Sequence, residues 1–399
     1  FADRYGYKRT IAVSVAITMT GYILMGTQRE FWPFTFGCLV LAFGTAIFKP
    51  GLQGTLVRQL NKDNSSMGWG IFYMLVNIGG FLGPPLAHFL HGISWPAVFF
   101  GCAAIASLNF LMLFTYRSVP SGADLTESWL KVAGRTFRNL FQTRLLAFIG
   151  IMSGFWLMFM QLFDMLPNFI VDWVDSSAIV RTFHLPAMFT TETPRGTMIA
   201  QEWMINANAG LIVLAVVWVS WLVSRMRRVT SIFIGITIAS VGLALAGFTM
   251  SGWLCILGIL CFSTGEMLSS PKMNDYLGVI APEGKKALYM GYANMPFAIG
   301  WIIGSLMGGQ IYERMGDKAN LALRFLGERG HDVAGVERTE AMAKLQEVMS
   351  LDPNAATRLL WETYDPYRLW YPFAALGLLS AVGIFFYARW ARKYEAPDI

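Results

Sequence analysis

Residues 32–57, from Trp32 to Val57, read WPFTFGCLVLAFGTAIFKPGLQGTLV. As a helix this run spans roughly 39 Å at about 1.5 Å per residue, more than the roughly 30 Å hydrocarbon core of a bilayer. A helix satisfies its own backbone N–H and C=O groups, so an apolar run of this length is suited to crossing a membrane. Lys49 is its one charged residue. A charge near the bilayer centre costs roughly 2.5–3.5 kcal/mol even on mild insertion scales, so it points to an ion or substrate pathway. A second run, Trp253 to Met273 (WLCILGILCFSTGEMLSSPKM), repeats the pattern with Glu266 in its interior. Almost every other charged residue falls in loops or at span edges, Asp164 being the main exception.

The rest of the chain extends this reading. It is 55% hydrophobic and 14% charged, where a soluble domain carries about 25% charged residues. We expect an all-α, multi-pass membrane protein. Ten apolar stretches approach the length of about 20 residues that a crossing needs: 10–28, 32–57, 69–90, 95–116, 144–168, 202–224, 229–250, 253–273, 288–312 and 367–389. Cys38, Cys102, Cys255 and Cys261 all fall within them, as small apolar packing residues do, rather than in a disulfide or zinc framework.

The net charge of +6 is no nucleic-acid signal, because Lys and Arg alternate from loop to loop. Arg58 and Lys62, Lys131 and Arg135, Arg225 to Arg228, Lys285 and Lys286, and Arg392 and Lys393 fall on one side. The opposite short loops hold little beyond Arg29, Arg181 and Arg195. Positive loops stay inside, so both chain ends are expected in the cytoplasm of a multi-pass protein, in the inner membrane if the source is bacterial. The segment 313–366 is basic but outside, and long loops count little in this rule.

The segment 117–143 divides the chain. It reads as a cytoplasmic amphipathic helix, with Trp129, Phe137, Leu140 and Phe141 at helical spacing and Asp124 able to cap its start. Residues 1–116 then hold four spans. Residues 144–399 hold six, with outer insertions at 171–201 and 313–366. In the second insertion Ala341–Met349 and Ala355–Trp361 read as helices. The chain opens at Phe1 within a loop motif, so an N-terminally truncated fragment lacking two spans is expected, from an original six plus six. The opening 1–9 and the basic turn 224–228 then occupy equivalent places, and parallel repeats of this kind mark secondary transporters.

Ala2-Asp3-Arg4-Tyr5-Gly6-Tyr7-Lys8-Arg9 resembles the cytoplasmic loop signature of the major facilitator superfamily, which lies between the second and third spans. Gly44-Thr45-Ala46-Ile47-Phe48-Lys49-Pro50 and Phe72-Tyr73-Met74-Leu75-Val76-Asn77-Ile78-Gly79 follow. Then come Phe155-Trp156 with Gln161, Gly265-Glu266 and Ala281-Pro282. In order and on the expected spans, these resemble the proton-dependent oligopeptide transporter family, over nearly the whole chain apart from the two insertions. The resemblance implies twelve helices around a central cavity, ten of them present here, and proton-coupled uptake of di- and tripeptides. It implies that Lys49 meets the peptide carboxylate and takes part in coupling, and that Glu266 meets the peptide amino group and pairs across the halves. Asn77, and Asn206 by a looser match, would bond the peptide backbone. The chain departs from the family at Met160, where an acidic residue is common, with Asp164 one turn on as a candidate substitute. It departs again at Ala293, where many members carry Trp. The family's Glu-rich proton motif belongs to the absent first span.

Lys49 and Glu266 also stand out without the family. Each lies somewhat past the middle of its span and on the same ordinal span of its half, so they can face each other across a cavity. Such a pair is switchable by a proton or a zwitterionic ligand; the alternative, a static buried salt bridge, is poorly rewarded. Asn77, Asn206 and Gln161, with Tyr73 and Trp156, are candidate substrate contacts or interhelical packing. Asp164 is a proton-coupling candidate or a hydrated span end. His88 and His91 form an interfacial pair with too few companions for a metal. Gly304 and Gly308 form a small-residue packing pattern, and Pro50 and Pro271 can loosen their helices. No cofactor or metal is implied, and no phosphate-binding loop is present. The expected function is a proton-coupled symporter that imports small peptides by alternating access. Transport of a sugar, drug or organic anion is the alternative. A membrane-embedded enzyme would need a cluster of His, Asp, Glu or Ser at one face, and a receptor or scaffold would use 313–366.

Overall fold

The computed structural model describes residues 2–61, 64–117, 134, 138, 141–282 and 284–391. The linker positions Asp124, Trp129, Phe137 and Leu140, and Lys62, Lys131, Arg135, Arg392 and Lys393, lie outside the described residues. A short α1 (Ala2–Tyr5) turns at Gly6 into α2 (Tyr7–Thr27). Gly6 has φ 89°, which a side chain would strain. The Lys49 run becomes a single helix, α3 (Phe31–Gln59), which contains Pro50. It is followed by α4 (Ser65–Ile93) and α5 (Trp95–Phe114). Ser94 caps α5 by accepting from the Ala97 N–H at 3.2 Å.

The expected single span 144–168 is instead broken into α6 (Thr143–Phe159), α7 (Gln161–Asp164) and α8 (Leu166–Trp173). Pro167, in the first turn of α8, lacks an N–H for the Phe163 carbonyl, so the break at Met165 falls there. The insertion 171–201 holds α9 (Ser177–Phe183) and a hairpin of β1 (Thr190–Thr193) and β2 (Gly196–Ile199), with Thr190 opposite Ile199 and Thr193 opposite Gly196. This small sheet departs from the all-α expectation. Its threonines suit a pleated strand, and Gly196 takes φ 117° at the turn.

Then come α10 (Gln201–Leu222), α11 (Arg228–Gly247), α12 (Gly252–Ile280) and α13 (Lys286–Met315). The insertion 313–366 contributes α14 (Lys318–Glu328), α15 (Ala341–Met349) and α16 (Pro353–Tyr364), and α17 (Tyr371–Ala391) follows. The sequence reading lacked α14, whose cap is Asp317 accepting from the Asn320 N–H at 3.0 Å. Asp352 likewise caps α16 through Asn354 and Ala355 at 2.9 and 3.1 Å.

Among the described residues nine helices are long and apolar enough to cross a membrane, by length and composition. The tenth expected stretch, 288–312, is also helical, as α13, but Asn294, Gln310 and its glycines make it less apolar. Glycines set the closest helix contacts. A Cβ at Gly242 of α11 would lie 2.3 Å from the Phe262 nitrogen of α12, and one at Gly21 of α2 would lie 2.6 Å from the Leu41 nitrogen of α3. Such small-residue contacts are how helices approach in lipid. The two groups of helices meet where α3 packs on α12 and α13, and α4 on α10 and α12. The four cysteines are free.

Candidate functional site

Glu266 lies on α12 and is 3% exposed. Tyr73 of α4 donates its hydroxyl to one carboxylate oxygen. Asn208 of α10 donates its Nδ2 to the other at 2.8 Å, and lies 2.9 Å from the Ser263 hydroxyl. Three helices thus converge on one buried carboxylate. Bonds to an ionised acceptor are roughly twice as strong as neutral ones, so the cluster ties α4 firmly to α10 and α12. Its location follows from local sequence. Met204, Asn208, Ile212, Val216 and Ser220 form the buried stripe of α10 at four-residue spacing, which presents Asn208 to α12. Pro271, one turn beyond Glu266, has no N–H for the Met267 carbonyl.

Asn208, rather than the candidate Asn206, bonds to Glu266. The two are two residues apart, roughly 200° around the helix, and Asn206 is half-buried away from the carboxylate. Asn77 lies one turn beyond Tyr73 and donates its Nδ2 to the Tyr73 carbonyl at 2.9 Å.

Lys49 is exposed on α3, and its Nζ stands 5.4 Å from the ring centroid of Phe297 on α13. Phe297 packs edge-on against Trp156 at 5.1 Å. Trp156 is buried among Phe155, Phe159 and Phe297 rather than lining open space. Among the described residues no ion pair joins Lys49 to Glu266. The expected pairing across the halves is replaced by Tyr73, because Glu266 faces α4 and α10 while Lys49 faces α13.

Gln161 and Asp164 lie outside this cluster. Gln161 is fully buried on α7, with its Nε2 donating to the Leu157 carbonyl at 2.9 Å. Asp164 accepts from the Trp301 Nε1 at 3.0 Å and the Ser305 hydroxyl at 2.5 Å, both on α13. The His91 ring meets Trp95 at 5.2 Å, and the His88 side chain is outside the described set.

The opening motif acts at the helix ends expected to be cytoplasmic. Asp3 accepts from the Ala287 and Leu288 N–H groups at 3.1 and 2.9 Å, and from the Tyr7 hydroxyl at 2.8 Å. It thereby caps α13 from another helix, where a negative charge suits the helix dipole. Lys8 donates to the Tyr116 carbonyl at 3.0 Å, Arg9 is exposed, and Arg4 is half-buried. The basic echo at 224–228 contributes an ion pair from Arg228 to Asp275 at 2.8 Å, and Ser65 of α4 also donates to Asp275. The Ser66 hydroxyl donates to the Ser220 carbonyl at 3.0 Å. A Cβ at Gly54 would lie 2.9 Å from that of Ala287, and one at Gly70 would lie 2.2 Å from the Ser220 Oγ. At this end α1, α3 and α4 are therefore closed against α10, α12 and α13.

A bundle of long apolar helices with buried carboxylates, Glu266 and Asp275, bridged between two helix groups agrees with the sequence comparison, in which residues 1–315 match the Major Facilitator Superfamily. The chain belongs to that superfamily. It is a multi-pass integral membrane transporter. The multidrug resistance protein MdtH of Escherichia coli O9:H4 (strain HS) is 22% identical over 320 residues, covering 78% of this chain and 72% of that protein. Its counterpart in Salmonella newport (strain SL254) is 22% identical over 314 residues, with coverage of 78% and 72%. A POT family transporter solved in complex with 5-aminolevulinic acid superposes with TM-score 0.60 at 14% identity, over 98% of this chain and 83% of that one. A bacterial homologue of the human drug peptide transporters PepT1 and PepT2 gives 0.58 at 18%, over 98% and 85%. The human organic anion transporter MFSD10 gives 0.58 at 14%, over 96% and 78%. At such identities these structures establish the shared superfamily fold, and no more.

Proposed function

We propose that this chain is a proton-coupled symporter that imports di- and tripeptides by alternating access. Residues 1–116 and 144–399 are its two halves, 117–143 joins them, and both chain ends are cytoplasmic. The observation that carries this reading is the bond from Tyr73 to buried Glu266, with the Lys49 ammonium standing apart and unpaired with it. In this reading a zwitterion bridges the two groups. Its ammonium takes the place of the Tyr73 hydroxyl at Glu266, its carboxylate reaches Lys49, and Asn77 meets the amide between them. Substrate thus exchanges a contact between the halves for contacts to itself, which is what a rocking transporter requires. Proton coupling is assigned to Lys49, Glu266 and Asp164. The POT structures, one with a thioalcohol-conjugated peptide, share the fold and agree with this substrate class.

A second reading is export of amphipathic drugs, favoured by the similarity to MdtH and by the apolar ring cluster around Trp156 and Phe297 beside the cation. Thermal stabilisation of the full-length protein by a ligand panel separates the two. Peptide import predicts stabilisation by di- and tripeptides, reduced when either terminus is blocked. Stabilisation by hydrophobic drugs, sugars or organic anions, with none from any peptide, replaces it.

A further inference from the structure

We propose a second ligand site, away from Glu266, that takes a small aliphatic primary-ammonium compound. It is a cavity of about 420 Å³ at the outer end of the spans, between the broken α6–α8 stretch and α13, reaching the start of α14. That size falls in the range of about 300–1,000 Å³ usual for small-molecule sites. The proposal is independent of the peptide reading.

Gln161 supplies the first observation. It is fully buried and lines the cavity, its Nε2 is bonded to Leu157, and its Oε1 has no donor among the described residues. Buried polar atoms are nearly always satisfied, and an unsatisfied one costs roughly 1–3 kcal/mol. The amide fits there only because of the glycine pair on α13: a Cβ at Gly304 would lie 2.8 Å from Nε2, and one at Gly308 would lie 2.6 Å from Oε1. The Gly304–Gly308 pattern therefore houses a polar side chain as well as packing helices.

The charges around the cavity supply the second. Asp164, Glu313 and Asp317 line it. Asp317 is paired with Arg338, the one cation that lines the cavity. Among the described residues no cation pairs with Asp164 or Glu313. The site therefore offers an amide oxygen and two unmatched carboxylates, which accept hydrogen bonds and attract positive charge. No group of three His, Cys, Asp or Glu suited to a metal occurs among the described residues. An N–H-bearing ammonium can donate to acceptors of this kind, whereas a quaternary ammonium donates nothing. Ser305, bonded to Asp164, lies eight residues from Glu313 on α13, about 12 Å along the helix. A diamine that reaches both carboxylates is therefore the better ligand.

The test is a tryptophan-fluorescence titration of the full-length protein in nanodiscs, since Trp301 bonds to Asp164. The probes are n-hexylamine, 1,6-diaminohexane, 1-hexanol and tetramethylammonium. The two amines should give saturable changes, the diamine at lower concentration, and the other two probes none. Glu313→Gln, an exposed change that folding tolerates, should raise the apparent Kd of the diamine about tenfold. Gln161→Met, which keeps the volume, should weaken both amines, and Glu266→Gln should leave them unchanged. An equal response to 1-hexanol, unchanged diamine binding in Glu313→Gln, or loss of binding in Glu266→Gln would each overturn the proposal.

Discussion

The Tyr73 hydroxyl bonds directly to the Glu266 carboxylate, joining α4 to α12 across a sequence separation of 193 residues. Asn208 completes the carboxylate from α10. Removing one partner of a buried charged hydrogen bond costs roughly 1.5–3 kcal/mol. Asn208→Leu should therefore lower the melting temperature of the full-length protein clearly. Asn206→Leu, on the other side of the same helix, should cost less than about 0.5 kcal/mol of stability and so move the melting temperature much less. Equal effects of the two substitutions would contradict the assignment of Asn208.

The closed end offers a mechanical test. A side chain at Gly54 or Gly70 would collide with Ala287 or Ser220 across the boundary. Gly70→Val should hold this end apart, making a cysteine placed at Ser66 react faster with a membrane-impermeant thiol reagent from the cytoplasmic face, in a background with the four native cysteines replaced. Unchanged labelling relative to Gly70 would show that the contact does not govern closure. Asp3→Ala should weaken the same end by about 0.5–2 kcal/mol, the usual cost of losing a helix cap.

The outer insertion carries a pH signature. Burial holds the Lys318 amine down from 10.5 to about 8, with Arg195 adding to the fall and Asp172 opposing it. Its Nζ donates to the Asp172 carbonyl at 2.8 Å. Between about pH 8 and 10.5 the unfolded chain binds more protons than the folded one at this lysine, so stability rises with pH across that window. Burial pushes the Asp172 carboxyl above 3.8, which has the opposite sign and acts in the acid range, where stability falls as pH rises. Lys318→Met should abolish most of the alkaline rise, roughly 1–3 kcal/mol. Melting the wild type and the variant at pH 7.5 and 9.5 checks this; parallel curves would contradict it.

The spans were legible because a single force, the exclusion of charge from hydrocarbon, acts on whole stretches of sequence. The insertion helix Ala341–Met349 was legible for a similar reason, its apolar side chains repeating at helical spacing. Three features were not. The break at Met165 depends on Pro167, and a proline inside an apolar run is often tolerated in membranes. The hairpin at 190–199 is too short to alternate visibly. The bond from Asn208 to Glu266 depends on how α10 packs on α12, which the nearly uniform apolar run of α10 does not reveal. Lys49 and Glu266 were conspicuous as charges inside apolar runs, but their partners were not. Tyr73 reaches Glu266 only because two distant helices pack together, and neighbouring sequence does not encode that contact.

Gradient-driven uptake tests the central claim most directly. Full-length protein in proteoliposomes, with an inward proton gradient and a labelled dipeptide outside, should accumulate the peptide, and dissipating the gradient should stop accumulation. Glu266→Gln should weaken peptide binding and uptake. Lys49→Ala should abolish gradient-driven uptake more than exchange of peptide between the two sides. Gradient-driven uptake that remains at the wild-type rate in both variants would contradict the account.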